Sequence, residues 1–131
     1  MKLELTNKES EEFFFNSMCN ALDYMGGYGL SLTYDNNIAD NFRSKYKKEN
    51  PGKVLCREDV WMGILREGGK LTLIDEECDG EYTKSIGLTD VHNRVCTAPI
   101  RHLLDIVNDT DDAVTGDIIL QTVFFEDVIF G

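Results

Sequence analysis

The densest chemistry-bearing stretch of the chain is Asp75-Glu76-Glu77-Cys78-Asp79-Gly80-Glu81, five carboxylates in seven residues. Asp75, Glu77, Asp79 and Gly80 match the first, third, fifth and sixth positions of a calcium-binding loop. The match then breaks. Ile86 stands where the bidentate glutamate of the twelfth position is required, and Tyr82 where an aliphatic residue is expected. The segment before the loop also alternates like a strand, whereas the calcium motif needs a helix. The expectation is a solvated hairpin turn with no resident metal.

A second acidic cluster comprises Asp109, Asp111 and Asp112, with Asp117 further on. Asp111 or Asp112 can cap a following helix, where negative charge is favourable. The two histidines are His92 and His102. His92 and Cys96 are four apart and share a helix face, but a nucleophilic pair needs hydrogen-bond reach and an orienting third group. No catalytic residue is assigned. Gly26-Gly27-Tyr28-Gly29 follows a helix pattern rather than a strand, so it reads as a helix stop and not a phosphate loop. Arg57 and Arg66, with Tyr24, Tyr28, Tyr34 and Trp61, form a candidate floor for a nucleotide-sized pocket through stacking and cation–π contact. Arg101-His102 is a second candidate contact for an anion. The basic stretch Arg43, Lys45, Lys47 and Lys48 reads as a solvated helix face.

These residues must be positioned by elements that the hydrophobic pattern predicts. Lys2–Leu5 alternates like a short strand. Asn7 can cap a helix over 8–25, whose apolar face is Phe14, Met18, Ala21, Leu22 and Met25. Leu30, Leu32 and Tyr34 mark a strand. Helices are expected at 38–48 and 59–67, closed by Asn50-Pro51-Gly52 and Gly68-Gly69 respectively. A hairpin spans 70–76 and 81–88, turning at Asp79-Gly80. Thr89 is a plausible cap for a helix at 90–97. Pro99 allows a fresh start at 99–107, and a last helix covers 113–125. About five helices and a small antiparallel sheet predict one α+β domain over 1–131. The apolar tail Val128-Ile129-Phe130 either packs on the core or joins two copies of the chain.

Charge is unevenly distributed. Residues 71–131 hold 13 acids and 3 bases, while residues 1–70 hold 11 acids and 10 bases. The formal net charge of −11 therefore sits almost wholly in the second half. Such a field disfavours nucleic acid and anionic membranes and favours basic protein surfaces. Four cysteines at 19, 56, 78 and 96 form no Cys-x-x-Cys pair, which argues against a zinc ribbon and for reduced, mostly buried thiols. The first residues lack the apolar stretch of a signal peptide, and no run approaches membrane-spanning length. The expectation is a soluble protein that stays in the cell making it, with no cofactor.

The last twenty residues, from Asp112-Ala113-Val114-Thr115-Gly116-Asp117 through Gln121-Thr122-Val123-Phe124-Phe125 to Phe130-Gly131, resemble the ending of small acidic proteins of tailed bacteriophages. Gly68-Gly69-Lys70-Leu71-Thr72-Leu73-Ile74-Asp75 is similar to their central hairpin. The resemblance covers about residues 59–131 and carries no known active site. It implies a phage or prophage gene acting in the cytoplasm of an infected bacterium. With the charge, it leads to a non-catalytic counter-defence or host-takeover factor that binds a basic host protein through Asp75, Glu76, Glu77, Asp79, Glu81, Asp109, Asp111 and Asp112. One alternative is a sponge for a nucleotide immune signal, held by Arg57, Trp61, Arg66, Arg101 and His102. Another is a virion-associated structural protein.

Overall fold

The computed structural model describes residues 3–131. The helices are α1 (Asn7–Gly27), α2 (Asn36–Glu49), α3 (Arg57–Arg66), α4 (Leu88–Arg94), α5 (Ile100–Val107) and α6 (Ala113–Phe125). The strands are β1 (Leu30–Tyr34), β2 (Leu71–Asp75) and β3 (Lys84–Ile86). They form one antiparallel sheet in the order β1-β2-β3, with Leu32 opposite Leu73 and Leu71 opposite Ile86. The chain is α+β, with six helices where about five were expected. All six fall on stretches that the hydrophobic pattern marks, and a 3-10 turn at Val95–Thr97 takes the place of the last turn of the helix expected at 90–97.

The central packing is α1 against α6. Ser10, Phe13, Phe14, Ser17, Met18, Ala21 and Met25 recur at three- and four-residue steps and give α1 one buried face. Nearly every residue of α6 from Thr115 to Phe124 is buried, so this helix is enclosed on most sides. Phe14 meets Phe124 with ring centroids 6.3 Å apart, and the backbone of Gly116 lies against Ser17 and Ala21. The two helices therefore run antiparallel. The inward side chains of β2, Leu71 and Leu73, complete the core with Leu30 and Ile86.

Caps and ends differ from expectation in instructive ways. Thr6, not Asn7, caps α1. Its hydroxyl accepts the Glu9 N–H at 3.1 Å while the Glu9 carboxylate accepts the Thr6 N–H at 2.9 Å. Leu3–Leu5 is irregular rather than a strand, and Lys2 lies outside the described residues. Gly87 rather than Thr89 opens α4, its N–H donating to Asp90 Oδ2 at 2.9 Å. The tail is not a free arm. Glu126 takes a left-handed conformation, φ 63°, and reverses the chain. Val128–Phe130 then folds back, and the Phe130 ring stacks on Tyr28 at 4.8 Å with Tyr82 and Phe125 at its edges. Among the described residues no helix is long and apolar enough to cross a membrane.

Candidate functional site

The acidic loop between β2 and β3 is built around Asp75. Side chains alternate across a strand, so Asp75 faces inward with Leu71 and Leu73. It is buried, and this removes it from the exposed surface on which the sequence placed it. Its carboxylate accepts the backbone N–H of Glu77 at 3.0 Å, Cys78 at 2.9 Å and Tyr82 at 3.1 Å. The Asp75 N–H is in turn taken by the Thr83 hydroxyl at 3.0 Å. Asp79 (φ 54°) and Gly80 (φ 81°) make the tip. What looked like the first ligand of a calcium loop is thus already spent on its own backbone. Among the described residues no group of three or more His, Cys, Asp or Glu is placed to hold a metal ion.

The donated N–H groups, that of Cys78 foremost, outweigh the cost of burying the charge and hold the Asp75 carboxyl below its ordinary value of 3.8. A carboxyl lowered in the folded state binds fewer protons there than in the unfolded chain. Its stabilisation is present above pH 3.8 and is lost as pH falls through the folded value. Asp112 is lowered in the same way, chiefly by the Thr115 N–H. We therefore predict a melting temperature that drops steeply below about pH 4. The Asp75→Asn variant should melt lower at pH 7, by about 5 °C, and show a shallower acid limb. Unchanged melting at both pH 7 and pH 3 would refute the assignment of Asp75 as the loop's organiser.

The second acidic cluster lies at the α5–α6 junction. Asp109 sits at φ 56° just past the end of α5. Asp112 caps α6 by accepting the Thr115 N–H at 3.0 Å, and Asp111 accepts from Asn20 of α1 at 3.3 Å. Asp117, one turn inside α6, is buried. It accepts from the Tyr28 hydroxyl at 2.7 Å and the Gln121 amide at 3.0 Å. Desolvation, with the hydrogen bond and charge of Asp117, pushes the Tyr28 phenol up to about 12.

Both clusters are tied to the C-terminal half of α1. Asn20 holds Asp111, Tyr28 holds Asp117, and the Gly29 carbonyl accepts the Glu76 N–H at 2.9 Å. Gly29 has φ 81°, a left-handed conformation that favours glycine where the chain passes from the end of α1 to the loop. The last turn of α1 has no basic residue, so the negative end of its dipole adds to the same field. None of Asp75, Glu76, Glu77, Asp79, Glu81, Asp109, Asp111 and Asp112 forms an ion pair among the described residues. Six of them are exposed, Asp111 is half-buried and Asp75 is buried.

The residues proposed for an anionic pocket are not brought together. Arg57 stacks over buried Trp61 at 5.4 Å and pairs with Glu58 at 2.9 Å. Arg66 pairs with Glu11 at 2.8 Å. Nine positions separate the two arginines, about 13 Å along the helix. Arg101 is exposed on α5, while His102 is buried with Nδ1 3.4 Å from the Thr115 hydroxyl. Tyr28 packs on the tail and Tyr24 is exposed, so the aromatic set has no common floor.

Three features were not read from the sequence. Glu11 bridges His92, at 2.9 Å, and Arg66, beside a cleft of about 350 Å³ lined also by Phe15, Asp59 and Met62. Burial opposes the charge on Glu11, but the hydrogen bonds from His92 and Arg66 prevail and hold its carboxyl below the ordinary glutamate range. An oriented histidine is half of an acid–base device. No hydroxyl or thiol is hydrogen-bonded to His92 among the described residues, and the Cys96 thiol donates to the Asn93 carbonyl at 3.5 Å instead. The second feature is the thiols. Cys19, Cys56 and Cys78 are exposed and Cys96 is half-buried, correcting the expectation of mostly buried cysteines. Cys19 follows Met18 on the solvent side of α1, and Cys78 lies in the acidic turn. The third is Gln121, a buried amide in an apolar helix that fastens the tail.

The fold is that of a single-domain α+β protein, with two acidic loops whose carboxylates form no ion pair among the described residues. No family model matches the chain, and no curated protein or solved structure matches it significantly.

Proposed function

We propose that this chain is a non-catalytic binding protein of a tailed phage or prophage, acting in the cytoplasm of the infected bacterium on a basic surface of a host protein. The phage setting rests on the resemblance of residues 59–131. The binding mode rests on one observation: the acidic loops beside the end of α1 carry no neutralising cation among the described residues. Acids that only cap and close turns account for Asp75 and Asp112, which are engaged by backbone N–H groups. Among the described residues, Glu77, Asp79, Glu81 and Asp109 have no side-chain hydrogen bond that would explain them in the same way. Unpaired like charges held close together repel, and a basic partner relieves that repulsion while steering association.

The test is retention of host proteins on the immobilised chain, at low and at 0.5 M salt (about 4 Å Debye length). The comparison is with a variant carrying Glu76→Gln, Glu77→Gln, Asp79→Asn and Glu81→Gln. All four side chains are exposed, so the fold should persist. The expected result is a basic partner held at low salt and bound about tenfold or more weakly by the variant. Equal retention by both proteins, or retention indifferent to salt, would remove the acidic face as the binding surface.

A further inference from the structure

The described residues also form an open basic pocket, on elements remote in sequence from the acidic loops. Arg43, Tyr46, Lys47 and Asn50 are spaced i, i+3, i+4, i+7 and so share one face at the end of α2. The chain then turns through Asn50-Pro51-Gly52-Lys53. Pro51 is second, Gly52 third at φ 80°, and the Lys53 N–H donates to the Asn50 carbonyl at 3.2 Å, the pattern of a type II turn. That turn brings Lys53 back to the α2 face. Leu55 and Val60 supply an apolar floor.

The result is a pocket of about 480 Å³ lined by three cations, one aromatic ring and no carboxylate, in a chain of net charge −11. The volume falls in the ordinary range for small-molecule sites, roughly 300–1,000 Å³. Helix-end electrostatics accounts for only part of this. Lys47 and Lys48 both complement the negative end of α2, yet Arg43 lies a turn further back and Lys53 lies outside the helix. Lys47 and Lys53 have no ion-pair partner among the described residues, and Arg43 pairs only with exposed Asp40 on its own helix.

We propose that this pocket binds a small phosphorylated molecule bearing a planar ring, of the nucleoside monophosphate class. Arg43, Lys47 and Lys53 receive the phosphate, the guanidinium by paired hydrogen bonds and the two ammonium groups as point charges. The ring lies against Tyr46 and the aliphatic floor. The acidic half does not forbid this, because at physiological salt its field is screened beyond about 8 Å. No acidic-loop residue and neither arginine of α3 lines the site.

The experiment is calorimetric titration of the whole chain with adenosine 5′-monophosphate, with adenosine and inorganic phosphate as partial probes. Saturable binding of the monophosphate is expected, weakened by salt and stronger than that of either partial probe. The Lys47→Gln/Lys53→Gln double variant should bind about tenfold or more weakly with an unchanged melting temperature, since both side chains are exposed. Tyr46→Leu should weaken the monophosphate and leave inorganic phosphate unaffected. The proposal fails if no saturable binding occurs at millimolar monophosphate, if adenosine binds as tightly, or if the double variant keeps its affinity. It fails equally if sedimentation shows the pocket lysines holding a second copy of the chain while the monophosphate does not bind. Retention of a basic partner by the acidic face should be indifferent to the lysine substitutions, so the two proposals stand or fall separately.

Discussion

Gln121→Ala is expected to destabilise the protein by about 3 kcal/mol and to release the C-terminal tail. Gln121 is fully buried in α6, and its amide uses both ends. Oε1 accepts the N–H of Ile129 at 2.9 Å and of Phe130 at 2.8 Å. Nε2 donates to the Phe130 carbonyl at 3.1 Å and to Asp117 Oδ1 at 3.0 Å. Truncation leaves a cavity and strands four polar groups at once. The cheapest response is for residues 127–131 to peel away and find water, which takes the Phe130 ring off Tyr28, Tyr82 and Phe125. Asp117 is then held by Tyr28 alone. Faster amide exchange at Ile129 and Phe130, together with a lower unfolding free energy in urea, would be the signature. Wild-type exchange at both amides would show that the aromatic contacts, not the amide, hold the tail. Because Tyr82 belongs to the acidic loop, loosening the tail should also loosen Asp75–Glu81, and partner retention should weaken with it.

Gly116→Val is the second change with a large expected effect, about 3 kcal/mol, or roughly 10 °C in melting temperature. A Cβ at Gly116 would stand 2.9 Å from Ala21 Cβ and 3.2 Å from the Ser17 carbonyl oxygen. The second of these is helix backbone, which yields only if α1 and α6 move apart. That movement would pull on Asn20–Asp111 and Tyr28–Asp117, the two links joining the second acidic cluster to α1. Partial rescue is expected from Ala21→Gly, which removes the nearer obstruction, and the two substitutions should be non-additive. A Gly116→Val protein that melts within a degree of wild type would mean the helices are not in the close contact described.

The amphipathic period of α1, the alternation of β1 and β2, and the proline and glycine stops at 50–52 and 68–69 were legible because each is a local pattern. Local chemistry also announced Asp112 as a cap, since an aspartate before an apolar run has few other uses. The failures have a common cause. His102, Arg57 and Arg66 were grouped by residue type, but their positions on α5 and on different parts of α3 give each its own partner. Glu11 and His92 are 81 residues apart, and nothing in either neighbourhood signals the other. Cys19 lies in solvent and Asp75 in the core because one position on a helix or a strand decides between the two, which the surrounding apolar pattern does not resolve.

The amino-acid order alone determined an α+β chain, its element boundaries to within a few residues, and an acidic second half, because hydrophobic period and charge are properties of short windows. Only the tertiary structure decided which acids are a surface. Burial sorts Asp75 and Asp117 into the architecture, the latter through the distant Tyr28, and leaves Glu76, Glu77, Asp79, Glu81 and Asp109 exposed without an ion-pair partner among the described residues. It likewise decided that Lys53 and Arg43 share a pocket and that Phe130 packs against the core, since each depends on a turn that brings together residues the sequence keeps apart.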